Sequence, residues 1–231
     1  MNVVKKRIST NLQSELESIL QTHLNHFTSR SKLINHKLLY CNKWKENKYA
    51  YLIPLLYAEC DELKHDIDNH TLLQVNIINA PPDCVDQIFH IDYLGDSISY
   101  FIPFVELTDL NGTAYLNFID PHNNIVYYND LLKMSALYLT QSEIIAYLSN
   151  LDLKEGIDYE FKAANSAAFG LLRMPNYVYH RGQKNRSGKD RMMVNILFSI
   201  NNAYDYPTDE IIEDSEIDEI LRADEIIKKR M

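Results

Sequence analysis

Leu12, Leu16, Ile19, Leu20 and Leu24 recur at the spacing of one helix face, with Ser9 and Thr10 ahead of them as capping candidates. The spacing predicts an amphipathic helix over 10–24. The apolar stretch KYAYLIPLLYAEC (48–60) fits helix or strand equally, because periodicity does not separate the two in so short a run. From residue 72 the pattern becomes a series of short β-type runs punctuated by turn residues. Leu72 to Ile78 reads as a strand, Pro81-Pro82-Asp83 as a turn, and Gln87 to Ile91 as a strand. SISYFIPFVEL (97–107) follows, then the Asn111-Gly112 turn, TAYLNF (113–118), and a turn at Asp120-Pro121. Residues 131–150 interrupt with helical spacing around Leu131, Leu132, Leu137, Ile144, Ile145 and Leu148. Strands resume in IDYEFKA (157–163), AAFGLLRM (167–174), NYVYH (176–180) and RMMVNILFSI (191–200), before paired isoleucines among acids suggest a solvated helix over 208–229. Some eight short strands flanked by helices predict a mainly β fold, a double-stranded β-helix or jelly roll. The 231 residues suit a single domain, with a helical region at 1–70, the jelly-roll core at 71–205 and an acidic helix at 206–231.

Composition narrows the setting. No apolar run approaches the roughly 18 residues of a membrane helix, and MNVVKKRIST lacks the apolar stretch of a signal peptide, so a cytoplasmic protein is expected. Cys41, Cys60 and Cys84 are odd in number and have no C-x-x-C spacing, which argues against a disulfide framework or a thiolate zinc site. The net charge is −9, and the last 24 residues, with nine acids and four bases, carry −5 of it. No basic face is visible, so nucleic acid is not an expected partner.

One constellation carries chemistry. In the extended segment His90-Ile91-Asp92 the imidazole and carboxylate point to one face, which suits two ligands of one metal. Alone the motif says little, because eight histidines and 32 acids in 231 residues yield about one H-x-acid match by chance. His180, after NYVYH and before the polar loop RGQKNRSGKDR, offers a third ligand. Together they would make a 2-His-1-carboxylate triad, which leaves positions open on non-haem Fe(II) for a co-substrate and O₂. Arg191 lies eleven residues beyond His180, at the mouth of an apolar strand. A guanidinium there needs a partner, and a dicarboxylate supplies one bidentately.

These residues resemble the Fe(II)/2-oxoglutarate-dependent dioxygenases, specifically the phytanoyl-CoA-dioxygenase-like branch. The likeness lies in HIDYLGDSISYFIPFVELTDLNGTAYL (90–116) and HRGQKNRSGKDRMMVNILFS (180–199), and covers roughly 70–205. The family pattern runs H-x-D, then L-T-D followed by N-G, then H-R-G-x-x-N-x-S with an arginine eleven after the histidine. With eight arginines in the chain, that offset is met by chance about once in thirty. The resemblance implies His90, Asp92 and His180 as iron ligands and Arg191 as the clamp on the distal carboxylate of 2-oxoglutarate. It also implies Phe101 as an aromatic beside the co-substrate, and hydroxylation of an unactivated C–H bond. The chain departs from the family at Phe118-Ile119-Asp120-Pro121-His122, where members carry a G-S-H-like loop that shapes the substrate pocket.

Asn195 shares a strand face with Arg191 and Met193, so its amide either serves the fold or touches the co-substrate. Gln74 and Asn76 share a face of the earlier strand and read first as hydrogen-bonded sheet residues, second as ligand contacts. Arg181 and Arg186 read as solvated, and Trp44, His122 and His23, His26, His36, His65 and His70 as surface or packing residues. The function expected is a non-haem Fe(II)- and 2-oxoglutarate-dependent oxygenase hydroxylating a small molecule, with no membrane partner. The alternatives are a nucleic-acid or protein side-chain oxygenase of the same superfamily, or a jelly-roll binding module without turnover. The oligomeric state is left open.

Overall fold

The computed structural model describes residues 1–23, 28–29, 37–40, 49–82, 84–91, 97–122, 125–126, 138–150, 156–175 and 178–199. Two antiparallel sheets face each other. The larger is ordered β1 (Asn2–Lys5), β11 (Leu171–Pro175), β6 (Ser97–Pro103), β13 (Arg191–Ser199), β4 (Thr71–Ala80), β3 (Lys37–Tyr40), β2 (Thr28–Ser29). The smaller is ordered β10 (Asp158–Ala164), β7 (Thr113–Ile119), β12 (His180–Gly182), β5 (Phe89–His90), β9 (Tyr138–Leu139), with β8 (Ile125–Val126) also pairing β7. Neighbours in each sheet are mostly distant in sequence, as a jelly roll requires.

Alternation along the central strands sorts side chains between two environments. On the outer face of the larger sheet, Val75, Ile77, Tyr100, Ile102, Leu171, Val194, Ile196 and Phe198 form one core with the helices α1 (Thr10–His23), α2 (Ile53–Tyr57) and α3 (Asp61–Asn69). The stripe Leu12, Leu16, Ile19 and Leu20 is buried as its spacing predicts. The 48–60 stretch is helical in its middle, a 3₁₀ turn at Ala50–Leu52 leading into α2 with Pro54 in its first turn, where a missing N–H costs nothing. The outer face of the smaller sheet packs Phe89, Ala114, Leu116 and Phe118 against Ile144 and Leu148 of α4 (Gln141–Asn150). Between the sheets lie Phe101, Tyr115, Leu172, Met174 and Met193, joined by Met1.

Several expected boundaries move for local reasons. Residues 1–70 supply not only α1–α3 but also β1, β2 and β3, which occupy the two ends of the larger sheet. The strand expected at Gln87–Ile91 contracts to β5, because Gln87 pairs with β12 partly through its side chain, Oε1 accepting Gly182 N at 2.7 Å. Within 131–150 the helix begins only at Gln141, preceded by β9. There Thr140 and Glu143 form a reciprocal cap, Thr140 N donating to Glu143 Oε2 at 2.8 Å and Glu143 N to Thr140 Oγ1 at 3.3 Å. The strand expected from Ala167 starts at Leu171, after a turn in which Gly170 N donates to Ala167 O at 3.0 Å. The helix expected at 206–231, residues 131–137, Cys41, Trp44, His26 and His36 lie outside the described residues. No helix among the described residues is long and apolar enough to cross a membrane, and Cys60 and Cys84 form no disulfide.

Candidate active site

β5 and β12 are short, yet their register places His90 directly opposite His180. The two rings lie with centroids 4.6 Å apart, and both residues are buried, at 8% and 5% exposure. Each ring is fixed the same way. His90 Nδ1 donates to Ile88 O at 2.8 Å and His180 Nδ1 to Val178 O at 3.0 Å, which leaves the lone pair on Nε2 in both. A backbone carbonyl behind Nδ1 is the usual support of a metal-binding imidazole, since it sets the tautomer and the ring direction. Asp92 lies outside the described residues.

Arg191 opens β13 on the larger sheet and is 1% exposed. Its Nη1 donates to the carbonyls of Asn111 and Gly112, both at 2.6 Å, and of Gln183 at 3.3 Å. Its Nε has no partner, and no carboxylate pairs with it among the described residues. Burial brings its pKa down to about 10, so it remains a cation at neutral pH. Desolvating a guanidinium this completely against carbonyls alone leaves it short of a counter-charge, which an anion entering the interior would provide.

The two sequence motifs turn out to build this socket. Asn111 Oδ1 accepts Thr108 N at 2.8 Å and Asn111 Nδ2 donates to Glu106 O at 3.0 Å, which shapes the turn that presents two of the three carbonyls. Gly112 has no room for a side chain, because a Cβ would stand 2.8 Å from Thr108 O and 3.1 Å from Ala164 O. On the other side Asn185, fully buried, donates Nδ2 to Ala80 O and Lys189 O, both at 2.6 Å, while its Oδ1 accepts Ser187 Oγ at 2.7 Å. That network holds the loop carrying the Gln183 carbonyl. Thr108, Asn111, Gly112 and Asn185 thus act on the site through backbone, a role the sequence pattern contained but did not explain.

Phe101 and Asn195 sit side by side on the inner face, paired across β6 and β13, and the Phe101 ring lies 6.4 Å from that of His180. Asn195 also stands opposite Asn76 on β4. Tyr115 is the register neighbour of His180 on β7 and projects into the same interior cluster, a position that sequence reasoning passed over as strand core. Arg181 points to the other face of the smaller sheet, over the Phe89 ring at 4.8 Å and within 3.5 Å of Asp86, so it is half-buried rather than solvated. Arg186, His65 and His122 are exposed, and the side chain of Gln74 lies outside the described set.

No family model matches this chain, and no curated protein does. Solved structures do. The non-heme α-ketoglutarate-dependent epimerase SnoN from nogalamycin biosynthesis is 10% identical, with 85% of this chain and 76% of that chain covered at a TM-score of 0.59. AviO1 from Streptomyces viridochromogenes Tue57 is 11% identical over 86% of this chain and 88% of that one, at 0.55. HygX from Streptomyces hygroscopicus, solved with nickel, 2-oxoglutarate and hygromycin B bound, is 9% identical over 86% and 82%, at 0.51. At such identities the likeness is one of fold: this chain is a double-stranded β-helix of the kind these structures share.

Proposed function

We propose that the protein is a non-haem Fe(II)- and 2-oxoglutarate-dependent oxygenase that hydroxylates a C–H bond of a small molecule. The observation that carries this reading is the pairing of two carbonyl-anchored imidazoles on one sheet with a buried guanidinium on the other that has no counter-charge among the described residues. His90, Asp92 and His180 are the proposed metal ligands. Arg191 is the proposed holder of the distal carboxylate of the co-substrate, with Phe101 walling its site. Iron with 2-oxoglutarate and O₂ supplies the oxidising chemistry, and the chain supplies ligands, a fixed anion receptor and a closed interior. Support comes from similar folds: SnoN has been solved with Fe³⁺, α-ketoglutarate and nogalamycin RO, and HygX with nickel, 2-oxoglutarate and hygromycin B.

A small-molecule substrate also fits the charge of the chain, since −9 disfavours phosphate-rich polymers and acyl-CoA alike. The test is anaerobic calorimetry with Mn(II) or Co(II), followed by succinate formation from 2-oxoglutarate in air with Fe(II). One metal per chain is expected, with affinity falling at least tenfold in His180→Ala. Full-strength metal binding in that variant removes the ligand assignment, and a protein that binds metal without turning over 2-oxoglutarate is a binding module.

A further inference from the structure

We propose that Asn76 and Asn195 form a subsite for the hydroxyl groups of a polyhydroxylated small molecule, a cyclitol or sugar, which is thereby the substrate class. This rests on the oxygenase reading above and deepens it. The two residues are register partners on adjacent central strands, β4 and β13. Both face the space between the sheets, because Val75 and Ile77 on one strand and Val194 and Ile196 on the other belong to the outer core. They are 6% and 7% exposed, and the Oδ1 of each is buried without a hydrogen-bond partner among the described residues. Phe101 flanks Asn195, and His180 lies beyond Phe101, so the amides stand on the wall that leads to the proposed metal.

Two buried, adjacent, unpaired amide oxygens are an expensive arrangement for a wall that serves only packing. A guest with O–H donors relieves both, and a hydroxyl suits an amide doubly, since it donates to Oδ1 and accepts from Nδ2. An alkyl chain would seal the oxygens away from water with nothing in exchange. Asn195 also lies four residues from Arg191 on one face, roughly 13 Å along an extended strand. Along that face Asn195 stands apart from the Arg191 guanidinium, on the side of the Phe101 ring and His180. Ser99, 1% exposed, stands on the same face of β6 at the next register position and extends the polar wall.

The experiment uses the full chain and the variants Asn76→Leu and Asn195→Leu. If the amides serve the substrate, leucine removes a buried unpaired oxygen, and the melting temperature of the unliganded protein is unchanged or raised in at least one variant. A fall of more than about 5 °C in both assigns the amides to the fold and overturns the proposal. The second measurement is the melting shift of Mn(II)- and 2-oxoglutarate-loaded protein with myo-inositol, sucrose and glucosamine against octanoate and octanoyl-CoA. Comparing wild type with variant cancels general osmolyte stabilisation. The expected result is a larger shift in wild type than in Asn195→Leu for at least one polyol. No such excess for any polyol, or an excess for the octanoyl compounds alone, overturns it. Calorimetry of Mn(II) and 2-oxoglutarate on the same samples separates the outcomes: if these fail to bind, the oxygenase reading falls, while the unliganded melting comparison still judges the amides.

Discussion

Arg191 meets two demands at once, and its variants separate them. Its Nη1 ties together the carbonyls of Asn111, Gly112 and Gln183, so Arg191→Ala takes a donor from all three, Gly112 O alone keeping the bond from Gln183 N at 3.2 Å, and is expected to lower stability by about 1–3 kcal/mol. Its charge is the proposed anchor for the diacid, so the same variant should raise the KM for 2-oxoglutarate far more than it disturbs Mn(II) binding. Lysine should rescue only in part, being a point charge without the planar fork. An unchanged KM in Arg191→Ala, measured on folded protein, would shift the role to another cation. Arg181 and Arg186 are poor substitutes, since one lies over Phe89 on the far face of its sheet and the other is exposed. At this scale the sequence pattern singled out His180 and Arg191, rare residue types at a fixed offset, and the structure buries both. The same pattern contained Asn111 and Asn185 in its motifs without showing their role, because their work is done through backbone carbonyls that no side-chain pattern displays.

Among the elements, the helical layer is held to the larger sheet by an ion pair whose carboxylate is buried and whose guanidinium is half-buried. Asp66 of α3, 2% exposed, accepts from Tyr100 Oη at 2.6 Å and from Arg173 Nε at 2.7 Å. Burial pushes the Asp66 carboxyl up, but the hydrogen bonds from Arg173 and Tyr100 and the charge of Arg173 prevail and hold it below its ordinary value of 3.8. A carboxyl depressed in the folded state contributes stability that is complete above its unfolded pKa and is lost as pH falls through the folded value. Asp66→Asn is therefore expected to be less stable than wild type by about 3 kcal/mol at neutral pH, with the gap closing below pH 3.8, as read by urea unfolding across pH. A gap independent of pH would mean that the poorer fit of the introduced amide to its neighbours, and not the lost charge, matters. The turn before β7 makes a different demand. A methyl at residue 112 would press on two backbone oxygens that cannot swing aside, so Gly112→Ala should cost about 1–3 kcal/mol and move a carbonyl of the Arg191 socket. The checks are melting temperature and 2-oxoglutarate affinity, which should fall together; a variant with native values for both would show that the turn is not strained. The strands β4, β6, β7, β10 and β13, each of seven residues or more, were legible in sequence as sustained β-type runs bounded by turn residues. β1, β2 and β9 were not, since a pairing of two to four residues carries too little period to see.

In the whole molecule, the proposed metal ligands and the anion receptor stand on different sheets: His90 and His180 on β5 and β12, Arg191 on β13. A diacid whose keto-acid end reaches the metal and whose far carboxylate reaches Arg191 would bridge the sandwich, and a bridging ligand couples the sites it joins. Mn(II) is therefore expected to tighten 2-oxoglutarate at least tenfold, and 2-oxoglutarate to tighten Mn(II) by the same factor, because coupling free energies are reciprocal. Glutarate, which keeps both carboxylates but lacks the keto oxygen, should show little of this effect. Arg191→Lys should weaken 2-oxoglutarate while leaving the affinity for Mn(II) alone unchanged. Anaerobic calorimetry in both orders of addition measures each quantity directly. Independent binding of the two ligands, or equal coupling by glutarate, would show that the diacid does not span from the histidines to Arg191, and the two halves of the site would then have to be assigned separately.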